Sequence, residues 1–340
     1  MTIRAQRILL VFFTLALSLP AQAGKTLDAI KARKEVVCGV STGLAGFSAA
    51  DSKGRWTGLD VDICRAIAAA VVGDGNRVRW TPLSSQQRFA ALQSGEIDVL
   101  SHNTTWTLTR DASLGLHFTS IVFHDGQGFM VAKKSKIASA RQLNNVEVCV
   151  QSGTTTEKNL SDYARGQKLK LKAVVFENYE ASLKAFFSGR CQAYTTDASS
   201  LVAILHGEAK NPGDYLILPE LISKEPLAPV VRRGDDEWFA VVKWVINALI
   251  EAEELGITQA NAEAQKSGGD PAQQRLLGGG EDLGRALQLD RDWAYRAIRA
   301  VGNYGEIFER NLGAASPMKL ARGANRLWSK GGMIYAPPLR

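Results

Sequence analysis

Apolar residues along this chain fall into short unbroken runs, separated by longer stretches in which they recur every third or fourth place. The short runs read as strands and the longer stretches as helices. Residues 35–41 predict a buried strand, and 43–58 a loop rich in glycine and polar residues. In WTGLDVDICRAIAAAVV, Ile63, Ile67, Ala70 and Val71 recur at helical spacing behind Asp60 or Asp62, either of which suits a helix cap. Residues 77–82 predict a second strand, 85–93 a helix, and 95–101 (GEIDVLS) a turn running into a third strand. Strands separated by helices imply an α/β fold with a largely parallel sheet.

The pattern then repeats. A strand at 146–151, a polar turn at 153–156, a helix at 157–167, a strand at 171–177 and a helix at 181–188 lead to GRCQAYTT, a turn and strand like GEIDVLS before it. Each half places polar residues just after its strands, where open α/β sheets collect ligands. The last hundred residues differ. Residues 235–262 form one long helical pattern, glycines at 268, 269 and 278–280 break the next segment, and 293–308 read as a further helix. Trp238, Trp244 and Trp293 fit core positions better than cofactor contacts.

The N-terminal stretch stands apart from this fold. Arg4 and Arg7 precede the apolar run 8–19, and Ala21-Gln22-Ala23 forms an A-x-A site, the pattern of a signal peptide cleaved after Ala23. The run is too short to cross roughly 30 Å of hydrocarbon as a helix. A length of 340 residues suggests two domains, and 45% hydrophobic with 22% charged residues is the composition of a soluble globular protein. Cleavage removes two arginines and no acids, so the formal charge falls from +7 to +5. The basic residues are dispersed, and pairs such as Lys133-Lys134 or Arg232-Arg233 do not form the cluster that nucleic acid needs.

Export gives the cysteines a meaning, because an oxidising compartment lets thiols pair. Cys38, Cys64, Cys149 and Cys191 lack the C-x-x-C spacing of a metal or redox site and allow three connectivities. Pairing each with its nearer companion, Cys38–Cys64 and Cys149–Cys191, places one bridge in each half. That choice rests on the two-half organisation and not on the spacing.

Two windows carry chemistry. SHNTTWTLTRD, residues 101–111, comes straight off a strand and offers an amide, several hydroxyls and an arginine. Arg110 supplies a planar fork for a carboxylate, and Thr105 offers both an N–H and a hydroxyl. The plainer reading has Thr107 or Thr109 capping a helix with Arg110 solvated on its surface. SGTTTE, residues 152–157, joins a strand to a helix whose first amides lack internal partners, a ready anion site, and Thr154 with Glu157 also fits an ordinary capping box. Asp197 follows the next strand, facing a crevice expected to hold few other acids; a helix cap is its plainer reading.

In order, GLDVDI, SGEIDVLSHNTTWTLTR, VQSGTTTE and SGRCQAYTTDASS resemble the polar amino-acid-binding family of periplasmic solute-binding proteins, the receptors of ABC importers. TWTLTRD and DGQGFMV resemble its general L-amino-acid-binding branch. The resemblance implies the type II periplasmic-binding-protein fold, two α/β lobes with two hinge crossings, here near 126–130 and 224–230. Lobe 1 would comprise 24–127 and 230–340, the latter with a helical C-terminal extension, and lobe 2 would comprise 128–229.

By the same resemblance Arg110 grips an α-carboxylate, helped by the N–H groups of Thr105 and Thr155. Asn103, the Thr105 hydroxyl and Asp197 receive the ammonium group. Relatives narrow for basic amino acids have aromatic walls where this chain has Leu44 and Leu59, and an acid where it has Ser41. Phe47, Leu59 and Trp106 are therefore the candidate side-chain pocket, with core packing an equal reading for the two aromatics; no charge partner is in view for the side chain, and broad recognition of L-amino acids is expected.

The expected protein is a monomeric periplasmic receptor without catalysis, needing no cofactor or metal, whose partners are an L-amino acid and an inner-membrane ABC permease. A lyase on the same scaffold is the enzymatic alternative, and a chemosensory binding protein the other. His102 is the one histidine inside a motif window, and no nucleophile or metal-hydrolase motif accompanies it.

Overall fold

The computed structural model describes residues 25–340, so the signal-peptide pattern of residues 1–23 lies outside the described residues. Two five-stranded sheets share one plan. In the first the order is Val78–Leu83, Val36–Ser41, Val99–Leu100, Val230–Arg232, Leu116–Phe118. In the second it is Leu171–Phe176, Val146–Gln151, Ala193–Asp197, Gln127–Ala132, Tyr215–Ile217. In each sheet the first three strands run parallel and the remaining two pairings are antiparallel. Val36–Ser41 is buried along its whole length, as a central strand covered on both faces must be.

Two short strands cross between the sheets. Phe123–Asp125 pairs with Glu225–Leu227, and both flank the cleft. The first crossing therefore precedes the expected 126–130, because Gln127–Ala132 is already a full strand of the second sheet. Both disulfides, Cys38–Cys64 and Cys149–Cys191, are formed. The first ties a strand to the helix Leu59–Val72, and the second ties Val146–Gln151 to the turn before Ala193–Asp197.

Neither Asp60 nor Asp62 caps Leu59–Val72, since Gly58 holds that position without a side-chain bond. Both aspartates sit in the first turn and turn outward to distant partners. Asp62 accepts from Arg310 Nη2 at 2.8 Å and Asn311 Nδ2 at 2.7 Å, which fixes the C-terminal helices to the first sheet. The pattern 235–262 divides into Asp236–Glu254 and Ala262–Gly268, with Gly256 at φ +67° after the first helix. Likewise 293–308 divides into Trp293–Val301 and Tyr304–Asn311, where Gly302 (φ +81°) stops one helix and an Asn303–Glu306 capping box starts the next. These helices pack into the same apolar core as Val36–Ser41 and Leu59–Val72, with Trp238 and Trp293 buried in it. No helix among the described residues is long and apolar enough to cross a membrane.

Candidate functional site

On the first lobe the site begins where Val99–Leu100 ends. Asp60 accepts from the Ser101 hydroxyl at 2.8 Å and from the Asn103 N–H at 2.9 Å, holding Asn103 at φ +37° in the left-handed region that asparagine tolerates better than most residues. Burial pushes the Asp60 carboxyl up to about 6 even though these bonds and the Arg88 cation oppose it. Thr107 then caps Leu108–Ser113, as one plain reading of this window has it. Arg110 is nevertheless buried rather than solvated. Its Nη1 donates to the Thr105 carbonyl at 3.0 Å, and its guanidinium carbon lies 5.2 Å from the centre of the Phe89 ring. Thr105 faces Leu227 of the hinge as a bridge pair whose bonds come from the Trp106 and Ala228 amides, which leaves the Thr105 N–H outside that ladder.

On the second lobe Thr154 accepts from the Glu157 N–H at 3.2 Å and caps Thr155–Gly166. Glu157 answers with half a capping box, accepting from Gly153 and not from Thr154. Gly153 has φ +73°, and a Cβ there would lie 3.0 Å from Gln86 Cγ of the opposite lobe. The close approach this glycine permits is thus lobe to lobe. Beside it Gln86 Nε2 donates to Ser152 Oγ at 2.6 Å. The Thr155 hydroxyl donates to Glu225 of the hinge at 2.8 Å and lies 3.4 Å from the Thr105 hydroxyl.

Asp197 occupies the N-cap position of Ala198–Gly207 without making the capping bond. Asp125 from the other hinge strand takes that role, accepting from the Ser199 N–H at 3.4 Å and from the Ser199 hydroxyl. The exchange frees Asp197 for the cleft, where Asn103 Nδ2 approaches it at 3.5 Å. The crevice is not poor in acids. Burial first, then the charges of Asp125 and Glu225, push the Asp197 carboxyl well above the usual carboxylate range, against the pull of Arg88 and Asn103. Both extra acids come from hinge strands far away in sequence.

The cleft is lined by Ser41, Leu44, Asn103, Thr105, Thr155 and Asp197 together with Arg88, His102, Gln151 and Tyr179. Arg110 lies behind Thr105 and is outside that lining. Phe47, Leu59 and Trp106 do not form a side-chain pocket. Phe47 and Leu59 are each 1% exposed within the core, Phe47 edge-on to Phe123. Trp106 is 37% exposed, stacks on Phe118 and borders a separate groove at the hinge. Aromatic mass beside a motif was here recruited by packing.

Arg88 is the residue that motif reading missed. A signal existed, since Arg88 shares the buried stripe of its helix with Ala91 and Leu92, where a charge is out of place. His102 is its brace: the ring Nε2 donates to the Leu83 carbonyl at 2.8 Å, so the neutral ring's Nδ1 accepts from Arg88 Nη1 at 3.3 Å. Burial and then the Arg88 cation bring His102 down to about 4, so it stays neutral near pH 7. No group of three or more His, Cys, Asp and Glu among the described residues is placed to hold a metal ion.

Comparison with known proteins gives this geometry a context. Residues 36–260 match the family model of bacterial extracellular solute-binding proteins, family 3. The chain is 53% identical over 328 residues, 96% of both chains, to the general L-amino acid-binding periplasmic protein AapJ of Rhizobium johnstonii. It is 48% identical, again over 96% of both, to the glutamate/glutamine/aspartate/asparagine-binding protein BztA of Rhodobacter capsulatus. A solved ABC transporter periplasmic binding protein from Brucella ovis, with glutathione bound, superposes with a TM-score of 0.91 at 53% identity, covering 94% of this chain and all of that one.

Proposed function

From the premise that this chain belongs to family 3 of the bacterial extracellular solute-binding proteins, we propose that it is the periplasmic receptor of an amino-acid ABC importer. It takes L-amino acids broadly in the inter-lobe cleft and closes on them for delivery to an inner-membrane permease. The observation that carries this reading is the division of charge across the cleft, with the Arg88 guanidinium in the first lobe's wall and Arg110 behind Thr105, and a carboxylate freed from capping on the second lobe. An α-amino acid is the small molecule that brings the opposite charge to both.

Arg110 holds the α-carboxylate with the N–H groups of Thr105 and Thr155, and Asp197 receives the ammonium group with Asn103 and the Thr105 hydroxyl. A zwitterion so placed stabilises the closed state over the open one by differential affinity, which is what a transport receptor requires. The bodies that move are the two lobes built on the two five-stranded sheets, turning about the paired strands Phe123–Asp125 and Glu225–Leu227. The mature protein begins after Ala23 and acts as a monomer. AapJ and BztA are named as binding proteins, and His102 is occupied in bracing Arg88, so a lyase reading has nothing to stand on.

Native mass spectrometry of the exported protein, followed by titration with the twenty L-amino acids, tests the reading. Retained or titratable amino acid at one per chain is expected. A chemically altered product, or no binding to any amino acid after removal of retained ligand, overturns it.

A further inference from the structure

Asp197 stands at the N-cap of Ala198–Gly207 and makes no capping bond, although aspartate favours that position because its carboxylate accepts from the second or third helical N–H. The reason lies in the hinge. The first two amides of the helix are already taken: the Ala198 N–H donates to the Gly126 carbonyl at 2.7 Å, and the Ser199 N–H to both Asp125 carboxylate oxygens at 3.4 Å. The Ser199 hydroxyl donates to Asp125 as well, and the Gly126 N–H, 2.8 Å from Asp125 Oδ1, holds that carboxylate in its turn. Ser199 is 4% exposed, so its amide must be met by a protein acceptor. Asp125 meets it from outside the helix, and Asp197, placed to meet it from the N-cap, is left lining the cleft.

We propose that Asp125 is a positioning residue for amino-acid recognition: by capping the helix in place of Asp197, it holds the Asp197 carboxylate in the cleft, where the ligand's ammonium group meets it. The inference rests on the amino-acid reading above and deepens it, because it names what keeps the ammonium acceptor available. Without Asp125 the buried Ser199 amide is orphaned, and the acceptor that satisfies it is Asp197, which already occupies the N-cap. The ligand must then draw Asp197 off the helix before pairing with it, so affinity falls by the worth of the cap. Asp125 is outside the cleft lining and acts through Asp197, from one of the two strands that cross between the sheets. Its charge also bears on Asp197, and that effect is separable from the cap. Asp125→Asn and Asp125→Ala remove the same charge, but asparagine keeps a capping oxygen and alanine does not.

The test is calorimetry on ligand-free protein with L-glutamate, L-glutamine and L-alanine, in wild type, Asp125→Asn, Asp125→Ala and Asp197→Ala, with circular dichroism as the fold control. Thermal unfolding of the two Asp125 variants is measured with Asp197 present and again with Asp197→Ala. Asp125→Asn should bind each amino acid about 2- to 30-fold more tightly than Asp125→Ala, the range that an N-cap bond spans. Stability should show the same exchange from the other side. With Asp197 present to take over the cap, Asp125→Ala should unfold close to Asp125→Asn. Combined with Asp197→Ala, where neither carboxylate remains, the alanine variant should unfold about 1 to 4 °C below the asparagine variant. A merely structural role for Asp125 gives the same gap in both backgrounds. Asp125→Thr, whose hydroxyl has a shorter reach than the carboxylate, takes the place of Asp125→Ala if the latter does not fold.

Equal affinities of Asp125→Asn and Asp125→Ala overturn the proposal, and so does an equal stability gap in the two backgrounds. Near-native affinity in Asp197→Ala, or a wild type that binds no amino acid, removes the parent reading instead.

Discussion

The two faces of the cleft are built by opposite strategies. The first lobe presents cations seated on an aromatic ring and braced by neutral groups: Arg88 and Arg110 beside Phe89, with His102, Thr104 and the Thr105 carbonyl as their acceptors. The second presents an acid next to other acids, for Asp197 feels Asp125 and Glu225 from the hinge. Neither face is neutralised within itself. Under the proposed assignment, closing the cleft buries like charges on each side, and a zwitterion relieves both at once. The binding energy is placed where it favours the closed state, so that ligand and closure support one another.

The sharpest way to break this comparison is to neutralise one face. Asp197→Asn keeps the shape and removes the charge, and Arg110→Met does the same for the other lobe. Truncating one partner of a desolvated charge pair costs about 2 to 5 kcal/mol, or roughly 30- to 5,000-fold in affinity. Calorimetry on both variants, each with an unchanged circular-dichroism spectrum, is the measurement. Near-native affinity in either variant removes that residue from the site.

Closure itself is open to a smaller insult. Gly153 sits against Ser85 and Gln86 of the opposite lobe, and its positive φ already disfavours a side chain. Gly153→Val should leave the α-amino and α-carboxylate contacts chemically intact and still weaken binding by about tenfold, through strain of about 1 to 3 kcal/mol on the closed state. Small-angle scattering should show the liganded variant more extended than liganded wild type. An identical profile with unchanged affinity would mean that this contact does not limit closure.

The contrast between the faces also explains what the sequence made legible. The strand at 146–151 and the Thr154 cap are local, set by a few consecutive residues, and the structure has them where the pattern puts them. The acids around Asp197 are not local. Asp125 and Glu225 reach it only because the two hinge strands pair, and Asp125 displaces Asp197 from capping, an exchange that no window of sequence contains. Arg88 was half legible, as a charge on an apolar stripe. Phe47 and Leu59 misled because a residue near a motif in sequence is drawn inward by burial when the core has room for it.

Acid crowding on the second face predicts a proton linkage. In the empty cleft the raised pKa of Asp197 favours its protonated form as pH falls, and the ligand's ammonium group favours the anion. Binding should therefore release a proton, and affinity should weaken on acidification, by up to about tenfold per pH unit below that pKa. The proton and the ammonium group compete for one carboxylate, which sets the sign. Titrations in two buffers of different ionisation heat measure the release directly. Proton uptake, or a linkage that persists in Asp197→Asn, would assign it elsewhere.

The weakest effect on binding is expected at the hinge, from a residue that touches neither face. Asn325, from the C-terminal segment, accepts from the His124 N–H at 2.6 Å and donates to the His124 carbonyl at 3.1 Å, while Phe123–Asp125 uses Glu225–Leu227 as its strand partner. One side chain thus does for His124 what a further strand would do. Asn325→Ala leaves a part-buried N–H and carbonyl without their partner, a loss of about 1 kcal/mol in stability. Because Arg88, Arg110 and Asp197 keep their neighbours, affinity should move by no more than about threefold, an energy below 1 kcal/mol. Thermal unfolding alongside calorimetry separates the two quantities. A large loss of affinity at unchanged stability would show that the C-terminal segment tunes the open and closed populations, and that the charge balance of the two faces is not the sole determinant of closure.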